Sequence, residues 1–508
     1  MVGHLLGIDV GTSACKAIVM TEDGRVLGTG SADYPLIQPE PTWAEQDPEA
    51  WWQGCGLAVR RALAAAGCAG PDISGVGLTG QMHGAVLLDA ADAVIRPALI
   101  WCDQRSAPQA AAFEAKIGRG RLIALAANPA LPNFTATKLL WVRENEPGNY
   151  ARIRRVLLPK DYIRLRLTGV AAAEVSDASG TLAFDVAGRR WSREMCDLLE
   201  VPPEWWPPVS ESPEVTARVS AAGAAATGLL PGTRVVGGAG DQAAAAVGNG
   251  IAAPGLVSIT IGTSGVVFAA TDAVVMDPRG RLHTFCHAVP GGWHVMGVTQ
   301  AAGGSLQWWR NEFAAAERAV AAATGQDPYE ILCTEAEAVP AGSMGLIFLP
   351  YLMGERTPHT DPLARGVFFG ITARHGRAHF ARAILEGVSQ SLRDCLELIG
   401  DLGCPAHELR MTGGGSRSPL WRQIQADVFA RPVRAMRGSE GPAVGAAILA
   451  AVGTGAYGTV PEACQTLVHP GDEVRPGPDA VAAYIEQGEI YRALYPALTT
   501  VFATAGGT

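Results

Sequence analysis

Residues 379–400 read HFARAILEGVSQSLRDCLELIG, with Phe380, Ile384, Val388, Leu392 and Leu396 at every fourth position. That spacing lines one ridge of a helix and predicts a long amphipathic element. GPAVGAAILAAVG (441–453) is apolar on nearly every side and predicts a fully buried helix. VGLTGQMHGAVLL (76–88) predicts strand, loop, strand. VVGGAGDQAAAAVGNG (235–250) predicts strand, glycine loop, helix, with Asp241 where an N-cap belongs and Gly248 or Gly250 as the stop. RMTGGGSRSPLWRQIQADVF (410–429) predicts the same order. Residues 151–210, with two Pro-Pro pairs beside Trp205 and Trp206, read as an irregular inserted segment. Strands alternating with helices predict an α/β fold.

The apolar pattern also repeats. IDVGTSACKAIV (8–19) is echoed 251 residues further on by ITIGTSGVVFAA (259–270). Both predict a strand, a Gly-Thr-Ser turn and a second strand. The first carries Asp9 where the second carries Thr260. Two related halves predict a duplicated domain with a cleft between them, the domains being 1–250 and 251–508.

Length and composition fit that picture. A chain of 508 residues is too long for one ordinary core, and 48% hydrophobic with 18% charged residues is globular. The formal net charge of −9 argues against nucleic-acid partners, which need a basic face. Ten cysteines without a CxxC pair or metal-ligand spacing suit a reducing compartment. No basic stretch followed by an apolar core opens the chain, so a secretory signal is not expected and a cytoplasmic location is. Residues 242–271 contain no charge, but Gly248-Asn249-Gly250 and Pro254-Gly255 interrupt them. A buried helix, a turn and a buried hairpin are expected there, not a membrane span.

Each candidate chemical motif has two readings. A Gly-Thr-Ser turn offers backbone N–H groups and hydroxyls to an anion, or simply closes a hairpin. Two such turns could grip a polyphosphate from both sides. Asp9 is a carboxylate for a phosphate-bound Mg²⁺, or a strand-end acid satisfied locally. TGGGSRS (412–418) lets backbone approach a ligand, or only turns the chain. Asp241 is an N-cap, or a general base accepting a hydroxyl proton in phosphoryl transfer. In GQMHG (80–84), His83 is structural or binds a polyol hydroxyl, with Met82 as an apolar wall. In WCDQR (101–105), Trp101 stacks on a sugar beside Asp103, or Asp103 and Arg105 form a surface pair. No GxxxxGK[ST] occurs, so a Walker-type site is not supported.

These residues together resemble the FGGY carbohydrate kinases, and within them the xylulokinases, over almost the whole chain. LLGIDVGTSACKAIVM and VSITIGTSGVVFA are similar to the family's two phosphate motifs. GGAGDQAAAAVGNG is similar to its catalytic-Asp segment, RMTGGGSRSPLWRQIQADV to its adenosine segment, and GVFFGITARHGRAHFARAILEGV to its C-terminal signature. NFTATKLLWVREN departs from the other signature at Asn133. GLTGQMHG, LIWCDQR, LPKDYIRLRLTG and YLMGERTPHTDPLARGVFFGIT carry the xylulokinase likeness.

The resemblance implies two ribonuclease-H-like, actin-type ATPase domains closing on ATP, Mg²⁺ and a sugar. It implies Asp241 as general base, and Met82, His83, Asp103 and Gln242 as sugar contacts. Thr12, Ser13, Lys16 and Thr263 would face the phosphates, with Gly303, Gln307, Gly414 and Ser418 lining the nucleotide. Asp9 and Asp241 would stand near the metal. The expected activity is phosphorylation of D-xylulose by ATP, and the resemblance suggests a homodimer. Alternatives are a kinase of ribulose, gluconate or xylitol, and an actin- or chaperone-like ATPase switch. A sugar-responsive regulator is disfavoured, since the kinase motifs begin within the first ten residues and the net charge is acidic.

Overall fold

The computed structural model describes residues 3–436 and 441–505. It forms two compact units, each built on a mixed sheet with helices. The first comprises Met1–Ala253, Ala270–His294 and Glu440–His469; the second comprises Pro254–Ala269, Val295–Ser439 and Pro470–Thr508. The chain thus passes between units at several points, not once near residue 250.

In the first unit, Val26–Asp33, Ala14–Thr21 and His4–Val10 are successive antiparallel neighbours. Ile73–Gly80 and then Arg234–Val236 join in parallel, and Val215–Arg218 adds an antiparallel edge. The second unit repeats this arrangement. Gly265–Thr271 is antiparallel to Gly255–Ile261; Ala406–Thr412 and Val433–Met436 follow in parallel; Pro470–Val474 closes antiparallel. Matching order and direction over five strands is what the repeated hairpin predicts.

The hairpins themselves differ by one residue. Val10 pairs with Cys15, whereas the corresponding Ile261 pairs with Gly265. The second turn is tighter, and the strand after it is shifted by one position against its partner.

The apolar helix fills one of the cores of the first unit, although it comes late in the chain. Gly441–Thr454 packs on His4–Val10, on Ile73–Gly80 and on the helix Asp241–Gly248. Contact is backbone to backbone: a Cβ added at Gly77 would lie 1.8 Å from the Ala446 carbonyl oxygen. In the second unit the amphipathic helix spans Arg377–Asp401, and Ile384, Val388, Leu392 and Leu396 of its ridge are buried. Residues 151–210 hold a ten-residue helix, Pro159–Thr168, and a seven-residue one, Arg193–Leu199, among strands of two or three residues and short turns. Among the described residues, no helix is long and apolar enough to cross a membrane, and the uncharged run of 242–271 forms a helix and a hairpin. None of the ten cysteines forms a disulfide.

Candidate active site

The first unit gathers Asp9, Lys16, Met82, His83, Asp241 and Gln242. Asp9 is next to last in the first strand and faces Lys16 across the hairpin register. Its Oδ1 is buried and receives no hydrogen bond. Burial pushes the Asp9 carboxyl up to about 7, the Asp241 charge adds to this, and Lys16 pulls it back. The two acids therefore lie within electrostatic reach of each other.

Asp241 begins the helix Asp241–Gly248, but the N-cap position is Gly240. The carboxylate is one residue inside the helix and does not serve as the cap. Burial raises it to about 6, against hydrogen bonds from the Gln242 backbone and side chain. Gln242 thus supports Asp241 directly. The glycine run ahead of it folds sharply: Gly238 has φ +73°, and a Cβ there would meet the Leu78 carbonyl oxygen at 1.9 Å. Only glycine fits such a turn.

Met82 covers the same helix start. A Cβ added at Gly240 would come within 2.9 Å of Met82 Cγ. His83 adopts φ +68°, a left-handed conformation rare outside glycine. Its Nδ1 bonds the Gly180 carbonyl at 2.8 Å, and its ring packs 5.0 Å from Phe134. Lys138 Nζ and Thr135 Oγ1 both donate to the His83 carbonyl, at 3.1 and 3.2 Å. Desolvation lowers the Lys138 ammonium to about 7, opposed by Asp103.

The first Gly-Thr-Ser turn is fixed from behind. Gln46 Nε2 donates to the Thr12 carbonyl at 2.7 Å, and Gln81 Nε2 to Gln46 Oε1 at 2.8 Å. The Trp101 indole donates to Thr12 Oγ1 at 2.9 Å, while Ser13 is exposed. Asp103 is placed differently from the others. It is fully buried, and its carboxylate accepts from the Ala44 N–H at 2.6 Å and from Arg105 at 2.8–3.0 Å. Asp103 and Arg105 are a buried pair that ties their loop to Ala44 and Glu45, not a surface pair.

The second unit holds a cavity of about 730 Å³. Thr263, Gly303, Gln307, Gly414 and Ser418 all line it. The helix Gly303–Glu312 starts against the second turn: Gly303 N donates to the Gly262 carbonyl at 2.8 Å and Gly304 N to that of Thr263 at 3.0 Å. An exposed turn beside a helix N-terminus suits phosphate. Ser418 caps the helix Pro419–Phe429 through the Trp421 N–H and donates to Cys333 Sγ at 3.3 Å. Tyr329, Glu330, Cys333 and Glu337, from the helix Pro328–Glu337, complete one wall. Sequence reading missed them: Asp327-Pro328 marks a helix start, and nothing there marks a ligand.

Among the described residues, no three His, Cys, Asp or Glu side chains gather as a metal site. One or two carboxylates suffice for a magnesium ion that keeps waters and phosphate oxygens, and the buried Oδ1 of Asp9, with no donor, fits that role.

The chain matches a model of the FGGY carbohydrate kinase N-terminal domain over residues 4–248 and of the C-terminal domain over 257–454. It is 38% identical to a xylulose kinase of Bacillus subtilis, covering 97% of this chain and 96% of that one. A xylulose kinase of Escherichia coli is 39% identical, over 98% and 100%. The crystal structure of a xylulose kinase from Rhodospirillum rubrum superposes with a TM-score of 0.89 at 32% identity, over 98% and 100%. With both domains matched in order along one chain, this protein belongs to the FGGY family of carbohydrate kinases.

Proposed function

We propose that the protein transfers the γ-phosphoryl group of ATP to D-xylulose, giving D-xylulose 5-phosphate, with Asp241 as the general base. The observation that carries this reading is the helix start at Asp241: a partly buried carboxylate at the first helical position, raised by desolvation, supported by Gln242 and set beside Met82. Full-length similarity to xylulose kinases supports the choice of sugar.

Asp241 accepts the proton of the attacking hydroxyl as its oxygen bonds to the γ-phosphorus and the bond to the ADP oxygen breaks. Met82 walls the sugar and His83 orients its hydroxyls. Thr12, Ser13, Lys16 and Thr263 supply donors and charge to phosphate oxygens. Gly303, Gln307, Gly414 and Ser418 hold the nucleotide. Asp9 would hold a magnesium ion, which when bound neutralises phosphate charge. The enzyme is placed in the cytoplasm, acting on small molecules without nucleic acid, and a homodimer is the assembly to look for by gel filtration.

Asp241→Ala tests the base: turnover should fall roughly 10²–10⁴-fold while ATP binding persists. Near-normal turnover would remove Asp241 from the mechanism. A panel of xylulose, ribulose, gluconate and xylitol in a coupled ADP-release assay tests the sugar, since a few hydroxyl contacts decide it. ATP hydrolysis indifferent to every sugar would instead favour the switch-type ATPase.

A further inference from the structure

We propose that Glu174 and Ser176 form a positioning pair that holds Asp241 in place for catalysis. The proposal rests on Asp241 being the base.

Gly240, directly before Asp241, donates its N–H to Ser176 Oγ at 3.1 Å. Ser176 lies in the short turn of helix Val175–Ala178, fully buried. Its hydroxyl has a single hydrogen, and Glu174 Oε1 lies 3.0 Å away. A carboxylate only accepts, so that hydrogen points to Glu174 and a lone pair is left for Gly240. The carboxylate orients the hydroxyl, and the hydroxyl fixes the backbone from which Asp241 projects.

Glu174 is itself immobilised. Its oxygens also accept from Ser176 N at 2.7 Å, Asp177 N at 2.8 Å and Ser212 Oγ at 3.0 Å. Lys160 Nζ sits 3.4 Å away, inside the same buried group. The loop ahead of Gly240 is tied to this layer at two more points. Arg164 donates to the carbonyls of Val236 and Gly237 at 2.6 and 2.5 Å, and Gly238 N donates to the Ser212 carbonyl at 2.9 Å. These contacts touch no reacting atom. Their common product is a fixed helix start, with Met82 packed on its outer side. A base displaced by about 1 Å forfeits on the order of a hundredfold in rate, so a small slackening at Gly240 should appear in kcat.

The test compares Ser176→Ala, Asp241→Asn and the double variant, with kcat, both KM values and the melting temperature measured for each. Ser176→Ala should lower kcat roughly 10- to 100-fold, leaving both KM values within about twofold. In the Asp241→Asn background, the same change should alter residual turnover by less than about twofold, because nothing remains to be positioned. Glu174→Gln should lower kcat as well. Either orientation of its amide sets an NH₂ against a backbone N–H, so its melting temperature should fall too. Normal kcat in a folded Ser176→Ala protein, beside a disabled Asp241→Asn, overturns the pair alone. An equal loss from Ser176→Ala in both backgrounds also overturns it, showing a general structural role. Near-normal turnover by Asp241→Asn overturns the base assignment and this proposal with it.

Discussion

Thr260 Oγ1 lies 2.8 Å from Thr412 Oγ1, at the position in the second hairpin that Asp9 occupies in the first. The duplicated strands have diverged there. In the second unit the site ties two parallel strands together through hydroxyls. In the first it presents a carboxylate whose Oδ1 meets no donor. Asp9→Asn should therefore raise the Mg²⁺ concentration for half-maximal activity by on the order of tenfold or more, with the fold intact by circular dichroism. Thr260→Val should leave the Mg²⁺ requirement unchanged and lower stability by about 1 kcal/mol, read by urea denaturation. Equal Mg²⁺ requirements in Asp9→Asn and the unsubstituted protein would take Asp9 out of the metal's neighbourhood.

His83 gives a separable prediction, because backbone and side chain bear on different quantities. With φ at +68°, alanine pays the left-handed penalty and glycine does not. His83→Gly and His83→Ala remove the same ring, so both should raise the KM for the sugar by on the order of tenfold and leave that for ATP alone. The glycine variant should nevertheless be the more stable by about 1 kcal/mol. If the sugar KM stays unchanged in both, His83 holds its loop and does not touch substrate.

Much of this was readable in the sequence because it depends on local pattern. The repeated hairpin predicts two similarly wired sheets, the four-residue ridge predicts the helix Arg377–Asp401, and Gly303, Gln307, Gly414 and Ser418 line one cavity with Thr263. What escaped depends on contacts remote in sequence. Asp103 and Arg105 look like a surface pair until Ala44 and Glu45 fold over them. Ser176 and Glu174 are ordinary residues two apart; only the approach of Gly240, 64 positions later, gives them a task. The helix Gly441–Thr454 was legible as buried, but not as a member of the first unit, since Gly7 and Gly77 lie hundreds of residues away. The one-residue difference between hairpins is also invisible, because GTS is spelled identically in both.

That helix makes a prediction about stability alone. Gly77→Ala would force a methyl group to within 1.8 Å of the Ala446 carbonyl oxygen, deep in the first unit. Backbone must shift, so a loss of about 3 kcal/mol or more is expected, seen as a lower melting temperature or insoluble protein. Gly120, in the helix Arg119–Ala126, has nothing within 4 Å of its Cβ direction. Gly120→Ala should stabilise by roughly 0.5–1 kcal/mol, through helix propensity and a less flexible unfolded chain. Equal effects of the two substitutions would contradict the close packing described.

Acid sensitivity is expected from His287. Burial lowers its imidazole from 6.5 to about 4, while Nε2 stands 2.8 Å from the Ile251 carbonyl oxygen as a neutral donor. Above pH 7 the ring is uncharged whether the chain is folded or unfolded, and it adds no pH dependence. As pH falls through 6.5 toward 4, the unfolded chain takes up a proton that the folded chain refuses, so stability falls by up to roughly 3 kcal/mol. Buried carboxyls raised by desolvation, such as Glu355 at about 8, act in the opposite sense. The informative quantity is therefore the difference between proteins. His287→Gln, which keeps a donor for Ile251, should lose less stability than the unsubstituted protein between pH 7 and pH 5, by urea denaturation at each pH. Parallel curves would mean that His287 does not stay neutral on folding.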